Sequence, residues 1–383
     1  MSAPVVIIGS GLAAYQCARE FRKLDQTSHL TIIAQDAADF YSKPMLSNAL
    51  AGKKTAATLV MKSAAKMAEE LSAAILPDTE VVGIDTANKQ VLLIDGQALE
   101  YRDLVLAIGA DPIRLPLAGN ADDDVLSVND INDYASFAEK LEGVKTVGIL
   151  GAGLIGCEFA NDLLAQGIKP VVIDPAAWPL SRFLPEAAGR YLGQQLQSAG
   201  VEFKFGMTAT NYDHLEDRYL VELNDGSIVE VDLLLSAVGL RPRIHLATSA
   251  GLKVNRGIVV DQALQTSQPH IYALGDCAEV MGLNLPFVMP IMHCARALAA
   301  TLAGTPTPVK YPAMPVVVKT PACPTVVAPP AIGAQGEWQV SAIEGGVDAR
   351  FVDAQGQLLG FALLGAAIKE KQQLSAQLPS LLP

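Results

Sequence analysis

Cysteine is scarce in this sequence, and what there is has no partner. The five cysteines, Cys17, Cys157, Cys277, Cys294 and Cys323, are odd in number and include no C-x-x-C pair. That excludes a disulfide framework and gives no ligand set for zinc or an iron–sulfur cluster, so they read as reduced, mostly buried, small apolar residues. Long hydrophobic runs are missing too: none approaches the roughly eighteen residues that span a bilayer. The chain enters its first strand with no basic leader ahead of it, so a cytoplasmic protein without membrane insertion is expected. Cations are outnumbered, 28 Lys and Arg against 40 Asp and Glu, and a net charge of −12 argues against nucleic acid as a partner. Apolar residues, in contrast, make up 50% of the 383 positions, enough for sizeable cores in two or three domains.

The organising stretch is Val5-Val6-Ile7-Ile8-Gly9-Ser10-Gly11-Leu12-Ala13-Ala14. A short β-branched strand runs into a glycine turn, and the apolar spacing Leu12, Tyr15, Ala18, Phe21 then opens a helix. Such a turn is a nucleotide cradle: Gly9 permits the bend, Gly11 admits a pyrophosphate, and Ala14 stands where helix and strand pack closely. The free N–H groups and the positive dipole end of the helix would hold the phosphates. After the next strand, Leu30–Ile33, an acidic residue is expected on the ribose; Gln35 and Asp36 both stand there, and either can make the contact.

Tyr41-Ser42-Lys43-Pro44-Met45-Leu46-Ser47 reads as a loop near the strands' carboxyl ends. From it begins a run of lysines, Lys43, Lys53, Lys54, Lys62 and Lys66, with no carboxylate among them. In so acidic a chain this run is either a solvated face or a docking patch for an acidic partner. Short strands around 81–84 and 91–94 follow, then a buried strand through Leu104 to Ile108 that ends at Gly109.

The second cradle is complete. Thr146–Leu150 runs into Gly151-Ala152-Gly153-Leu154-Ile155-Gly156, and a strand then ends at Asp174, about twenty residues beyond the glycines. Asp174 would bond the ribose 2′-hydroxyl of NADH and repel the 2′-phosphate of NADPH, with Arg182 the one nearby cation that keeps the phosphate form open. A hairpin around 221–228 and a buried strand halted by Gly239 repeat the earlier plan at a spacing of roughly 140 residues. A late strand then delivers Asp276 just past Gly275, and the remainder from about residue 311 alternates as strands toward a terminal helix.

Two cradles, each followed by a glycine-terminated strand, and the late Gly275-Asp276 together resemble the two-dinucleotide-binding flavoprotein reductases of the glutathione-reductase superfamily, over essentially the whole chain. Within it, the blocks Tyr41–Ser47, Gly151–Asp162, Phe287-Val288-Met289-Pro290 and Val318-Lys319-Thr320-Pro321-Ala322-Cys323-Pro324 look most like the rubredoxin reductases of bacterial alkane oxidation. The resemblance implies an α/β fold with two Rossmann-like dinucleotide-binding domains and a small α+β C-terminal domain. The FAD-binding domain would span residues 1–115 and 241–310, the NADH-binding domain 116–240 and the C-terminal domain 311–383. It further implies non-covalent FAD on Gly9, Ser10, Gly11, Leu12 and Ala14, with Val81 by the adenine and Asp276 on the ribityl chain or pyrophosphate. NADH would lie on Gly151, Gly153, Gly156 and Asp174. Lys43 and Glu158 would pair beside the flavin, Val288 would border its ring, and Lys319 would approach it from the C-terminal domain. Lys43, Glu158 and Lys319 are thus the candidate catalytic residues, with no metal.

The acceptor follows from what is absent. Cys17 has no partner at short spacing, and Tyr41–Pro44 carries no cysteine where oxidases and peroxidases of the superfamily have one. Transfer through a protein thiol is therefore not expected, and a small one-electron iron protein fits. The leading expectation is NADH:rubredoxin oxidoreductase feeding an alkane hydroxylase-type system, the acidic rubredoxin docking on the lysine run. The alternatives are a reductase for the ferredoxin of an oxygenase, or an NADH-sensing flavoprotein.

Overall fold

The structure, a computed structural model, describes residues 3–216 and 218–383. Val5–Ile8 is buried at every position and forms the middle of a parallel sheet. Strands without alternation belong in such a place, since helices cover both faces, and each Val or Ile removed from water there contributes about 1.5–3 kcal/mol. The sheet order is Ile271–Ala273, Asp103–Leu106, Val5–Ile8, Leu30–Ile33, Ala74–Leu76. Its outer strand comes from far down the chain, so the first sheet is assembled from segments on either side of the second.

That second sheet is parallel as well, ordered Glu202–Phe205, Lys169–Asp174, Thr146–Leu150, Leu233–Ser236. Each parallel sheet carries an antiparallel annex of three strands, one spanning Val81 to Glu100 and the other Ala209 to Val231. The internal repeat expected from the sequence is therefore architectural. Where the chain leaves the first unit and returns to it, Ala110–Pro112 pairs antiparallel with Leu240–Pro242.

The C-terminal part is a five-stranded antiparallel sheet ordered Val316–Val318, Thr325–Ala328, Leu358–Gly365, Gly346–Val352, Glu337–Ile343. The terminal helix is only Lys371–Ser375. One hydrophobic cluster joins this sheet to the second cradle: Val318, Val327 and Leu364 share it with Phe159 and Leu163. Among the described residues no helix is long and apolar enough to cross a membrane.

Candidate active site

The two cradles are built alike. Gly9 has φ of 120°, and a Cβ there would lie 2.3 Å from the carbonyl oxygen of Ala107. At Gly156 a Cβ would stand 1.9 Å from the Gly151 oxygen, so helix and turn approach as closely as a glycine allows. The middle glycines are different. A Cβ on Gly11 or Gly153 would meet nothing within 4 Å, so the chain's own packing does not require glycine at either position. What does is a ligand that must reach the backbone, as a pyrophosphate does.

Gly11 and Gly153 are also the N-caps of the helices Leu12–Leu24 and Leu154–Leu164, and neither supplies a side-chain cap. The first N–H groups of both helices are left for an anion. Each glycine turn is tied to the acid that ends the following strand. Ser10 Oγ donates to Asp36 Oδ1 at 2.6 Å, and Ala152 N donates to Asp174 Oδ2 at 2.6 Å. Asp36 and Gln35 are both exposed, but only Asp36 is held against its turn. Arg182 is exposed and makes no ion pair among the described residues.

Gly275, at φ of 81°, sets the late strand's exit against the first helix: a Cβ there would lie 2.8 Å from the Ala13 Cβ. This delivers Asp276 beside the first cradle. Its carboxylate makes no hydrogen bond or ion pair among the described residues, and burial raises its pKa while Lys43 opposes the rise. Burial also lowers the Lys43 pKa, with Asp276 opposing and Arg243 adding to the shift. Two half-buried, opposite charges with no direct pairing between them fit the polar edge of a bound cofactor. Val81 opens the annex strand Val81–Asp85 and is half-buried. Val288 is the first residue of the helix Val288–Leu302 and is 39% exposed.

The resemblance implies that Lys43 pairs with Glu158, but the structure gives Glu158 a different lysine. Glu158 is 4% exposed, and its ion pair is with Lys319, 2.8 Å away. The Lys319 backbone N–H reaches its other oxygen at 3.0 Å. Ser47, which sequence reasoning passed over, completes the junction: its hydroxyl donates to Glu158 Oε2 at 2.5 Å and accepts from Lys319 Nζ at 2.7 Å. Lys319 Nζ also donates to the Pro44 carbonyl. The physical reason lies in the segment expected as a loop. With Pro44 at its start it coils into a 3-10 helix, Lys43–Asn48, which turns Ser47 onto Glu158, while Lys43 lies within electrostatic range of Asp276.

Two more residues on the second-cradle helix were missed. Asn161 Oδ1 accepts from Ala322 N at 3.0 Å, and Asp162 accepts from Leu50 N and Ala51 N at 2.9 and 2.8 Å. Glu158, Asn161 and Asp162 stand three and four residues apart, on one helix face. That face therefore holds a loop of the first unit and a loop of the C-terminal sheet together. Between the two loops is a cleft of about 350 Å³ lined by Ala51, Asn161, Asp162, Lys319, Pro321 and Pro324, among others.

The lysine run is reduced by the fold. Lys62 pairs with Glu70, which lies just past the run and also binds Arg19. Lys53, Lys54 and Lys66 make no ion pair among the described residues, and Lys53 and Lys66 are exposed. All five cysteines are free and buried. Burial raises every one of their pKa values, to about 12 for Cys17 and about 11 for Cys277 and Cys294. No metal-holding group of His, Cys, Asp and Glu occurs among the described residues.

Two glycine cradles on parallel sheets, joined by a buried polar junction and lacking any accessible thiol, define the two-dinucleotide class of oxidoreductase. Residues 3–300 match the family described as pyridine nucleotide-disulphide oxidoreductase, and residues 308–378 match the rubredoxin binding C-terminal domain. The chain belongs to the pyridine nucleotide-disulphide oxidoreductase family, and it is an oxidoreductase. It is 51% identical to a rubredoxin-NAD(+) reductase of Alcanivorax borkumensis, covering 99% of this chain and 100% of that protein. It is 45% identical to the protein of the same name from Acinetobacter baylyi, covering 99% of each. Among solved structures, that of the covalent putidaredoxin reductase–putidaredoxin complex superposes with a TM-score of 0.89 at 26% identity, covering 99% of this chain and 94% of that one.

Proposed function

We propose that this chain is an NADH:rubredoxin oxidoreductase that holds FAD on its first cradle and NADH on its second. The observation that carries the reading is the fusion of a two-cradle body, free of accessible thiols, to a C-terminal segment matching a rubredoxin binding domain. Bound FAD supplies the conversion of a two-electron hydride delivery into single-electron transfers. The chain's own residues hold and orient.

Gly9, Ser10, Gly11, Leu12 and Ala14 cradle the FAD pyrophosphate, Asp36 rather than Gln35 meets the adenosine ribose, and Val81 lies by the adenine. Asp276 meets the ribityl or pyrophosphate region and Lys43 the polar edge of the ring system, where its ammonium favours negative charge. Val288, at an uncapped helix start, borders the ring. Gly151, Gly153 and Gly156 hold the NADH pyrophosphate, and Asp174 meets its ribose. Glu158 and Lys319, locked by Ser47, set the distance between the second-cradle helix and the C-terminal sheet. That junction ties the 43–48 segment of the first unit to both.

The acceptor docks at Lys53 and Lys54, on the turn whose 48–51 segment borders the rubredoxin binding segment, and supplies an alkane hydroxylase-type system downstream. The test is NADH oxidation without oxygen, with purified rubredoxin or a two-iron ferredoxin as sole acceptor. Rubredoxin should give the higher kcat/KM. A clear preference for ferredoxin would replace the partner while leaving both nucleotide sites as assigned.

A further inference from the structure

Asp162 is a buried carboxylate with no part in the hydride path. It is 2% exposed and makes no ion pair among the described residues. Both oxygens accept from main-chain donors on one short segment, Leu50 N at 2.9 Å and Ala51 N at 2.8 Å. Burial of a carboxylate costs several kcal/mol unless hydrogen bonds satisfy it, so Asp162 depends on this segment for its partners and the segment is held to the helix through it.

The segment it grips is the turn that presents the cations. Lys53 N donates to Leu50 O at 2.8 Å and Lys54 N to Ala49 O at 3.0 Å, with Lys53 in the left-handed region at φ of 48°. Gln166, in the turn just past the end of that helix, donates to Leu50 O at 2.6 Å, and Tyr134 donates to Lys54 O at 2.7 Å. Next to Asp162, Asn161 holds the opposite wall of the cleft through Ala322 N. Adjacent residues of one helix thus set where both walls stand.

We propose that Asp162 is a positioning residue for acceptor docking: it fixes Lys53 and Lys54 relative to the loop 320–324, so that the second-cradle helix sets the geometry of the partner's landing site. This rests on the docking reading above. An Asn at this position keeps the volume but turns an NH₂ group toward a backbone N–H, loosening the turn without adding or removing a lysine.

The test is a cycle of Asp162→Asn, Lys53→Ala with Lys54→Ala, and all three together, measuring KM and kcat for rubredoxin at saturating NADH. Asp162→Asn should raise the rubredoxin KM about threefold with kcat within about twofold, and should add nothing once the lysines are gone. An equal effect in both backgrounds, or a fall in kcat with KM unchanged, overturns the proposal and leaves Asp162 a packing residue. If the lysine pair alone leaves KM unchanged, the docking reading has failed and this inference fails with it. Should Asp162→Asn not fold, Gln166→Ala removes a second anchor of the same turn without touching a buried charge. It should then raise KM in the wild-type background only, and an effect in both backgrounds overturns the proposal.

Discussion

Glu158 and Lys319, 161 positions apart, pair at 2.8 Å, and Ser47 from a third part of the chain bonds to both. Glu158 is buried, whereas the Lys319 side chain is 29% exposed. Removing the lysine strands a charge in the protein interior, which is costly even though water reaches the lysine end. Lys319→Ala should therefore lower unfolding stability by about 2 kcal/mol. Lys319→Ala with Glu158→Gln should be more stable than Lys319→Ala alone, a comparison that urea denaturation makes directly.

The absence of a thiol relay is testable on the native protein. With Cys277 and Cys294 pushed up to about 11 and every thiol buried, less than about one part in a thousand of either is thiolate at neutral pH. An aromatic disulfide reagent should titrate almost none of the cysteines until denaturant is added. Alkylation under native conditions should leave rubredoxin reduction intact; rapid inactivation would reinstate a sulfur step.

Nucleotide preference follows from Asp174. Its carboxylate accepts from Ala152 N and Ala176 N at 2.6 and 2.7 Å, which fixes a negative charge at the edge of the second cradle. NADH should be preferred to NADPH in kcat/KM, and Asp174→Ala should narrow the ratio. A wild-type enzyme favouring NADPH would show that the role given to Asp174 is wrong.

Docking between two acidic proteins through a local basic patch should weaken with salt, because the Debye length shrinks from about 30 Å at 0.01 M to about 10 Å at 0.1 M. Rubredoxin reduction at limiting rubredoxin should slow as salt rises, and Lys53→Glu with Lys54→Glu should slow it further. A flat salt response together with an unaffected double variant would place docking elsewhere.

The parts legible in the sequence are those set by local chemistry. Leu30–Ile33 and Thr146–Leu150 form strands at their expected positions, since each is a short apolar run bounded by turn residues. The glycine turns read correctly because backbone shape is written in the residue type. Contacts across the domain seam were not legible. Ser47 and Asp162 look like an ordinary hydroxyl and a helix-surface acid until chain segments 111 or 112 residues apart meet. The same limit misassigned the partner of Glu158, because two lysines of like chemistry compete for it and only packing decides. It also inflated the lysine patch, since Glu70, which neutralises Lys62, stands four residues past the run's last lysine, Lys66.

The purified protein should be yellow, with one non-covalent FAD per chain. Gly275 packs against Ala13 of the first cradle's helix and so brings Asp276 to that cradle. Extraction in acid and chromatography of the released flavin check this, and FMN in place of FAD would break the assignment of the first cradle.

The most direct measurement is the anaerobic stoichiometry of electron transfer, with catalytic enzyme, limiting NADH and excess oxidised rubredoxin. A carrier that accepts a hydride and releases electrons singly should reduce about two rubredoxins for each NADH consumed, with no disulfide or oxygen required. NADH consumption that leaves rubredoxin oxidised, or that proceeds only when a disulfide or oxygen is supplied, would contradict it.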